Sequence, residues 1–179
     1  MDEQIPRATT VLPPIAQVHF DGACEPARGG GVATYGFTVE APDFSYEEKG
    51  LAVRPWSPRA TNNVAEYTGA IRALEWLRSK GFRGHIILMG DSQLVIRQMK
   101  GEYEVRAAHL KEYHLHLSML AKEFDLVQYI WIPREENRRA DALSKEAFAE
   151  AAPSASRHRP MEPVEPAEED LVPEETTDD

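Results

Sequence analysis

Ile15-Ala16-Gln17-Val18-His19-Phe20-Asp21-Gly22 is an apolar stretch that ends on a carboxylate and a glycine. Its length and its branched and aromatic residues suit a strand. An acid closing such a strand needs a partner, because burial penalises its charged form. Three more carboxylates stand in comparable settings. Asp91 ends the run His85-Ile86-Ile87-Leu88-Met89-Gly90 and precedes Ser92-Gln93. Glu66 lies in Thr61-Asn62-Asn63-Val64-Ala65-Glu66-Tyr67, at the start of a helical pattern. Asp141 follows Asn137-Arg138-Arg139-Ala140 and opens the last helix. Carboxylates at strand ends and helix starts can meet at one edge of a sheet. Such a cluster is costly unless cations neutralise it, so the pattern points to divalent metal ions and phosphoryl chemistry.

Around the first strand, Ala33 to Val39 reads as a second strand and Ser45 to Ala52 as a third, with Ala41-Pro42-Asp43 as a hairpin turn. Tyr67, Ala70, Ile71, Leu74 and Leu77 recur at helical spacing and predict a helix from about Asn63 to Ser79, capped by Thr61 or Asn62. His85 to Met89 is a buried strand, Ser92 to Met99 a short helix, and Ala107 to Phe124 a longer one. Val127 to Ile132 is the last strand, stopped by Pro133, and the final helix carries Ala140, Leu143, Ala147 and Phe148. The order β β β α β α α β α predicts an α/β fold, a hairpin region followed by right-handed crossovers.

Composition narrows the function. The 179 residues suffice for one domain, expected over 15–150. Residues 1–14, with Pro6, Pro13 and Pro14, read as a flexible leader. Residues 151–179 carry nine acids against Arg157 and Arg159, interleaved with prolines, and read as a disordered tail whose one conceivable partner-binding stretch surrounds Leu171-Val172. No apolar run is long enough to span a membrane, and no secretory signal is visible. Cys24 is the only cysteine, so no intramolecular disulfide forms, which fits a reducing, cytoplasmic compartment. The net charge of −10 argues against tight non-specific nucleic-acid binding through a broad basic face.

Taken together, Asp21-Gly22-Ala23, Thr61-Asn62-Asn63 with Glu66, Gly90-Asp91-Ser92-Gln93, and Asn137-Arg138-Arg139-Ala140-Asp141 resemble type 1 ribonuclease H over about residues 17–149. The resemblance implies a ribonuclease H-like fold, a five-stranded mixed sheet flanked by helices. It implies an endoribonuclease that cuts the RNA strand of RNA/DNA hybrids with two divalent ions, Mg²⁺ or Mn²⁺, leaving 5′-phosphate and 3′-hydroxyl ends during replication and repair. By the same resemblance Asp21 bridges the ions, Asp91 and Glu66 hold one, and Asp141 holds the other. Asn62, Asn63 and Gln93 match positions that read the minor groove, where amides can meet the 2′-OH. Thr61 matches a position that holds a phosphate of the DNA strand, and Gly22, Ala23 and Cys24 match the loop that contacts RNA. The chain departs from many members in two ways. The link Trp131 to Asn137 has no histidine, leaving Glu135 or Glu136 as candidates for its role. The stretch Gly101 to Lys122 mixes Arg106 and Lys111 with Glu102, Glu104 and Glu112 and so lacks a basic protrusion; hybrid affinity is expected to be modest. A monomer is expected.

Each piece also has an ordinary reading. Glu66 and Asp141 alone are acids near helix starts, and Asp91 alone could cap the next helix. Arg138 and Arg139 read as a solvated cluster with Glu135 and Glu136. His109, His114 and His116 read as a partly exposed helix face, Cys24 as a small loop residue, and Trp56 as loop packing. The rival readings of the whole are a silent binding module of the same fold, or a nuclease for double-stranded RNA or structured DNA.

Overall fold

The computed structural model describes residues 14–27 and 30–159. β1 (Ile15–Glu25) forms because its residues alternate: Ala16, Val18 and Phe20 are buried on one face. It pairs antiparallel with β2 (Val32–Ala41), which pairs antiparallel with β3 (Phe44–Leu51). On its other side β1 runs parallel to β4 (His85–Gly90), and β4 parallel to β5 (Leu126–Trp131). The order β3-β2-β1-β4-β5 is the expected five-stranded mixed sheet.

Parallel neighbours need crossover connections, and helices supply them. α1 (Asn62–Ser79) links β3 to β4, and α2 (Gln93–Met99) with α3 (Ala108–Ala121) links β4 to β5. α4 (Arg138–Ser156) follows β5. Val64, Tyr67, Ala70 and Leu74 of α1 join Ala16, Val18, Phe20 and Phe37 in the main core. α4 packs on the other face of the sheet, against β2, β1 and β3.

Two glycines fix how closely these helices approach. A Cβ on Gly22 would overlap the backbone N of Glu66 on α1. Gly36 is the register partner of Asp21, and a Cβ there would lie 2.5 Å from Leu143 Cβ and 2.7 Å from the Ala140 carbonyl oxygen on α4. α1 and α4 therefore press from opposite faces on the same end of β1.

The boundaries of the domain differ from the sequence reading. α4 runs past Glu150 to Ser156 with Pro153 inside it. Its last turn is docked: Trp56 Nε1–H donates to the Ala155 carbonyl at 2.8 Å, and Ala155 is buried. At the other end, the Pro14 carbonyl accepts from His85 N at 3.0 Å, which ties the assumed leader to β4. The remainder of the expected leader, residues 1–13, and of the expected tail, residues 160–179, lies outside the described residues. Among the described residues no helix is long and apolar enough to cross a membrane.

Candidate active site

In the parallel β1–β4 pair, Phe20 is opposite Gly90. Asp21, inside β1, and Asp91, just past β4, are the next residues and so lie side by side; the strand expected to close at Asp21 runs on to Glu25. The close approach at Gly22 brings Glu66 in from α1. One carboxylate oxygen from each of Asp21, Glu66 and Asp91 lies within 4.8 Å of the others.

Burial sets the electrostatics here. Burial first, then the charges of Asp21 and Asp91, drives the Glu66 carboxyl well above the usual carboxylate range. Burial likewise pushes Asp21 up to about 7; a hydrogen bond from Ser144 opposes that rise, and Asp91 and Asp141 add to it. Glu66 Oε2 is buried without a hydrogen-bond partner. An orphaned carboxylate oxygen beside two more carboxylates is a poor arrangement for a protein alone and a good one for a hard cation. The donor set, all oxygen, fits Mg²⁺ or Mn²⁺.

Asp141 stands outside that group of three. Its Oδ1 accepts from Arg134 Nη2 at 2.8 Å and its Oδ2 from Lys145 Nζ at 2.7 Å. Burial pushes its carboxyl up, but these two cations outweigh burial and hold it below the usual range. It faces the cluster closely enough for its charge to raise Asp21.

Other side chains brace the acids. Asn137, at the start of α4, donates from Nδ2 to Asp91 Oδ1 and to the Phe20 carbonyl, each at 2.8 Å. Ser144 Oγ–H donates to Asp21 Oδ2. Trp131 Nε1–H donates to the Asp91 carbonyl at 3.2 Å.

A family model described as "Reverse transcriptase-like" matches residues 48–147. The chain is 38% identical over 128 residues to the bifunctional protein Rv2228c of Mycobacterium tuberculosis, covering 70% of this chain and 34% of that protein. It therefore spans about a third of the length of that relative. The N-terminal RNase H domain of Rv2228c superimposes with a TM-score of 0.69 at 34% identity, over 79% of this chain and 99% of that one. RNase H1 of the archaeon Halobacterium salinarum gives 0.66 at 34% identity, over 76% and 99%. LC11-RNase H1, isolated from compost and solved with an RNA/DNA hybrid, gives 0.66 at 33% identity, over 76% and 99%. The chain belongs to the type 1 ribonuclease H family.

Within this ribonuclease H fold, the other sequence-derived candidates fall in three places. Asn62 and Asn63 form the first turn of α1, partly exposed, and Gln93 is exposed at the start of α2. Thr61 is 1% exposed, and its Oγ1 accepts from Val64 N at 3.1 Å as the helix cap. Gly22, Ala23 and Cys24 continue β1 beyond Asp21. The Cys24 thiol is turned inward, donating to the carbonyls of Pro26 and Ala60 at 3.1 and 3.0 Å, and burial pushes it up to about 12. A thiol held protonated in this way is a poor nucleophile at neutral pH.

Arg139 pairs with Glu47 and Glu146 at 2.5 and 3.1 Å, not with the neighbouring Glu135 and Glu136. Arg138 donates to the Glu135 backbone carbonyl at 2.9 Å. His116 faces Glu75 and His114 the Gln98 carbonyl, as on an ordinary helix face. Trp56 packs on α4, as read. Sequence reasoning missed Arg134, Asn137, Ser144 and Lys145 as parts of the site. The one local signal was spacing, since Ser144 and Lys145 stand three and four residues after Asp141 and so share its helix face.

Proposed function

We propose that this protein hydrolyses the RNA strand of RNA/DNA hybrids in the manner of a type 1 ribonuclease H, leaving 5′-phosphate and 3′-hydroxyl ends. The observation that carries the proposal is the convergence of Asp21, Glu66 and Asp91 oxygens within 4.8 Å, with Glu66 Oε2 lacking a partner. The likeness to LC11-RNase H1, solved with an RNA/DNA hybrid, supports the choice of substrate.

Asp21, Glu66 and Asp91 would hold one divalent ion and share Asp21 with a second held by Asp141; Mg²⁺ is the natural occupant and Mn²⁺ a substitute. When bound, the ions supply Lewis-acid stabilisation of the phosphoryl-transfer transition state. The chain does the rest. Asn137 and Ser144 hold the carboxylates in place. Arg134 and Lys145 hydrogen-bond the two oxygens of Asp141 and orient its carboxylate. Asn62, Asn63 and Gln93 offer amides that donate to and accept from sugar hydroxyls and base edges in the minor groove. Thr61 fixes the first of these by capping α1. Gly22, Ala23 and Cys24 offer backbone groups to the RNA strand.

The form of the family is one without a basic protrusion and without a loop histidine. In the link where that histidine would stand, Glu135 and Glu136 are the candidates for its role, and the neighbouring Arg134 meets Asp141 directly. The corresponding biology is removal of primers, R-loops or embedded RNA in the cytoplasm by a monomer. Its acidic C-terminal stretch is the candidate contact for a protein partner.

The test is a 5′-labelled RNA strand annealed to DNA and incubated with Mg²⁺ or EDTA, beside single-stranded RNA, double-stranded RNA and an Asp91→Asn variant. Metal-dependent internal cuts in the hybrid alone are expected. Hybrid binding without cutting in Mg²⁺ or Mn²⁺ would favour a silent binding module, and cutting of double-stranded RNA at a similar rate would change the substrate.

A further inference from the structure

Ser144 is fully buried on α4, against the β1–β2 pair. Its Oγ–H donates to Asp21 Oδ2, a residue 123 positions away in the chain. The same oxygen lies 2.9 Å from the Asp141 carbonyl, the acceptor one turn back that a helical serine commonly takes. A hydroxyl has one proton, so these two acceptors compete for it. Once Asp21 is ionised, as cation binding requires, its carboxylate makes the stronger bond.

The backbone beneath the hydroxyl is fixed separately. Thr34 Oγ1–H, also buried, donates to the Ser144 carbonyl at 2.8 Å. A Cβ on Gly36 would lie 2.7 Å from Ser144 N, so α4 sits as close to β2 as a glycine allows. Gly36 is the register partner of Asp21, so the brace and the braced carboxylate share one rung of the sheet. Packing alone gives no reason for serine here: alanine would fill the site without burying a hydroxyl.

We propose that Ser144 is a positioning residue for the metal site, holding one oxygen of Asp21 so that the carboxylate meets a divalent ion together with Glu66 and Asp91. The inference rests on the metal-site reading given under Proposed function. Hydrogen bonds that orient a ligating side chain typically change metal affinity or activity by about 10–100-fold when removed.

The experiment compares wild type with Ser144→Ala, Ser144→Cys and Ser144→Thr in the full chain. Mn²⁺ binding is titrated calorimetrically without nucleic acid, and the Mg²⁺ dependence of hybrid cleavage is measured in parallel. Melting in EDTA reports folding. Ser144→Ala and Ser144→Cys are expected to bind Mn²⁺ about tenfold more weakly and to need about tenfold more Mg²⁺ for half-maximal rate. Ser144→Thr keeps the hydroxyl but adds a methyl at a fully buried position, so where it melts as wild type does it should return both values close to wild type. Cysteine fills the serine's volume with a poor donor, so it carries the test if the alanine variant does not fold. Wild-type Mn²⁺ affinity in the folded alanine or cysteine variant overturns the proposal. Equal weakening in a folded threonine variant does so too, because it assigns the effect to packing. Failure of the underlying metal reading looks different: wild type itself would bind no Mn²⁺ and would match Asp91→Asn, which ends both.

Discussion

Asn137 Nδ2 lies 2.8 Å from Asp91 Oδ1, and the same nitrogen donates to the Phe20 carbonyl. One buried amide thus ties the start of α4 to the middle of β1 and to the residue that follows β4. Asn137→Ala would leave the Phe20 carbonyl without this donor and release the Asp91 side chain. Loss of such buried bonds is expected to cost about 1–3 kcal/mol of stability. Cleavage should fall by about 10–100-fold. Urea unfolding and single-turnover cleavage check the two parts. A variant with full activity would separate Asn137 from the site.

Asp91→Asn removes a charge without changing volume. The carboxylate cluster repels itself, so melting in EDTA should be unchanged or higher. Hybrid cleavage should vanish, and Mg²⁺ should no longer raise the melting temperature. Cleavage at the wild-type rate would show that the centre lies elsewhere.

The pH dependence of stability has a definite sign. Asp21 ionises near 7 when folded, against an ordinary 3.8, so the folded chain keeps a proton that the unfolded chain has released. The contribution of Asp21 to metal-free stability should therefore decline as pH rises from about 4 to about 7 and level off above. Glu66 is raised too and acts in the same sense. Asp141 is depressed and acts oppositely, but below its ordinary value of 3.8. Burial lowers His19, which also opposes the trend below its ordinary 6.5. His19 belongs to no metal site, so the comparison of Mg²⁺ with EDTA removes its contribution. The gap in melting temperature between the two should widen by at least about 3 °C from about pH 5 to about pH 8. A constant gap would contradict the coupling of these acids to a cation.

Arg134→Ala removes one of the two cations on Asp141. The side chain is exposed, so stability should change by less than about 1 kcal/mol. The Asp141 carboxyl should move back up toward its ordinary value, visible in a carbon NMR titration. Cleavage should drop on the order of tenfold, the factor that about 1.4 kcal/mol in the barrier produces. An unchanged rate with a shifted titration would make Arg134 an electrostatic neighbour only.

What the sequence made legible follows from the range of the interactions. β1, α1 and β4 were readable because alternation and helical spacing are local patterns. Asp91 was readable as a strand-end acid; Asp21 was read the same way, but β1 runs on to Glu25, and it is the parallel register that brings the two together. Asn137, Ser144 and Arg134 were not assigned, since their partners depend on where α4 crosses the sheet. The contacts Ser144–Asp21 and Asn137–Phe20 span 123 and 117 positions and leave no periodic trace. The end of α4 was misjudged for the same reason. Proline normally interrupts a helix, yet the turn beyond Pro153 is held by Trp56, a residue from a distant loop.

α4 also sets an order of events during synthesis. Chains emerge from the amino terminus and fold as residues become available. Until Asn137 and α4 have been made, Asp21 lacks Ser144, Asp91 lacks Asn137, and Gly36 faces no helix. A ribosome stalled before Asn137 would hold three of the four acids, with Asp21 and Asp91 both lacking their braces. Completion of the last helix and completion of the acidic centre are thus a single step.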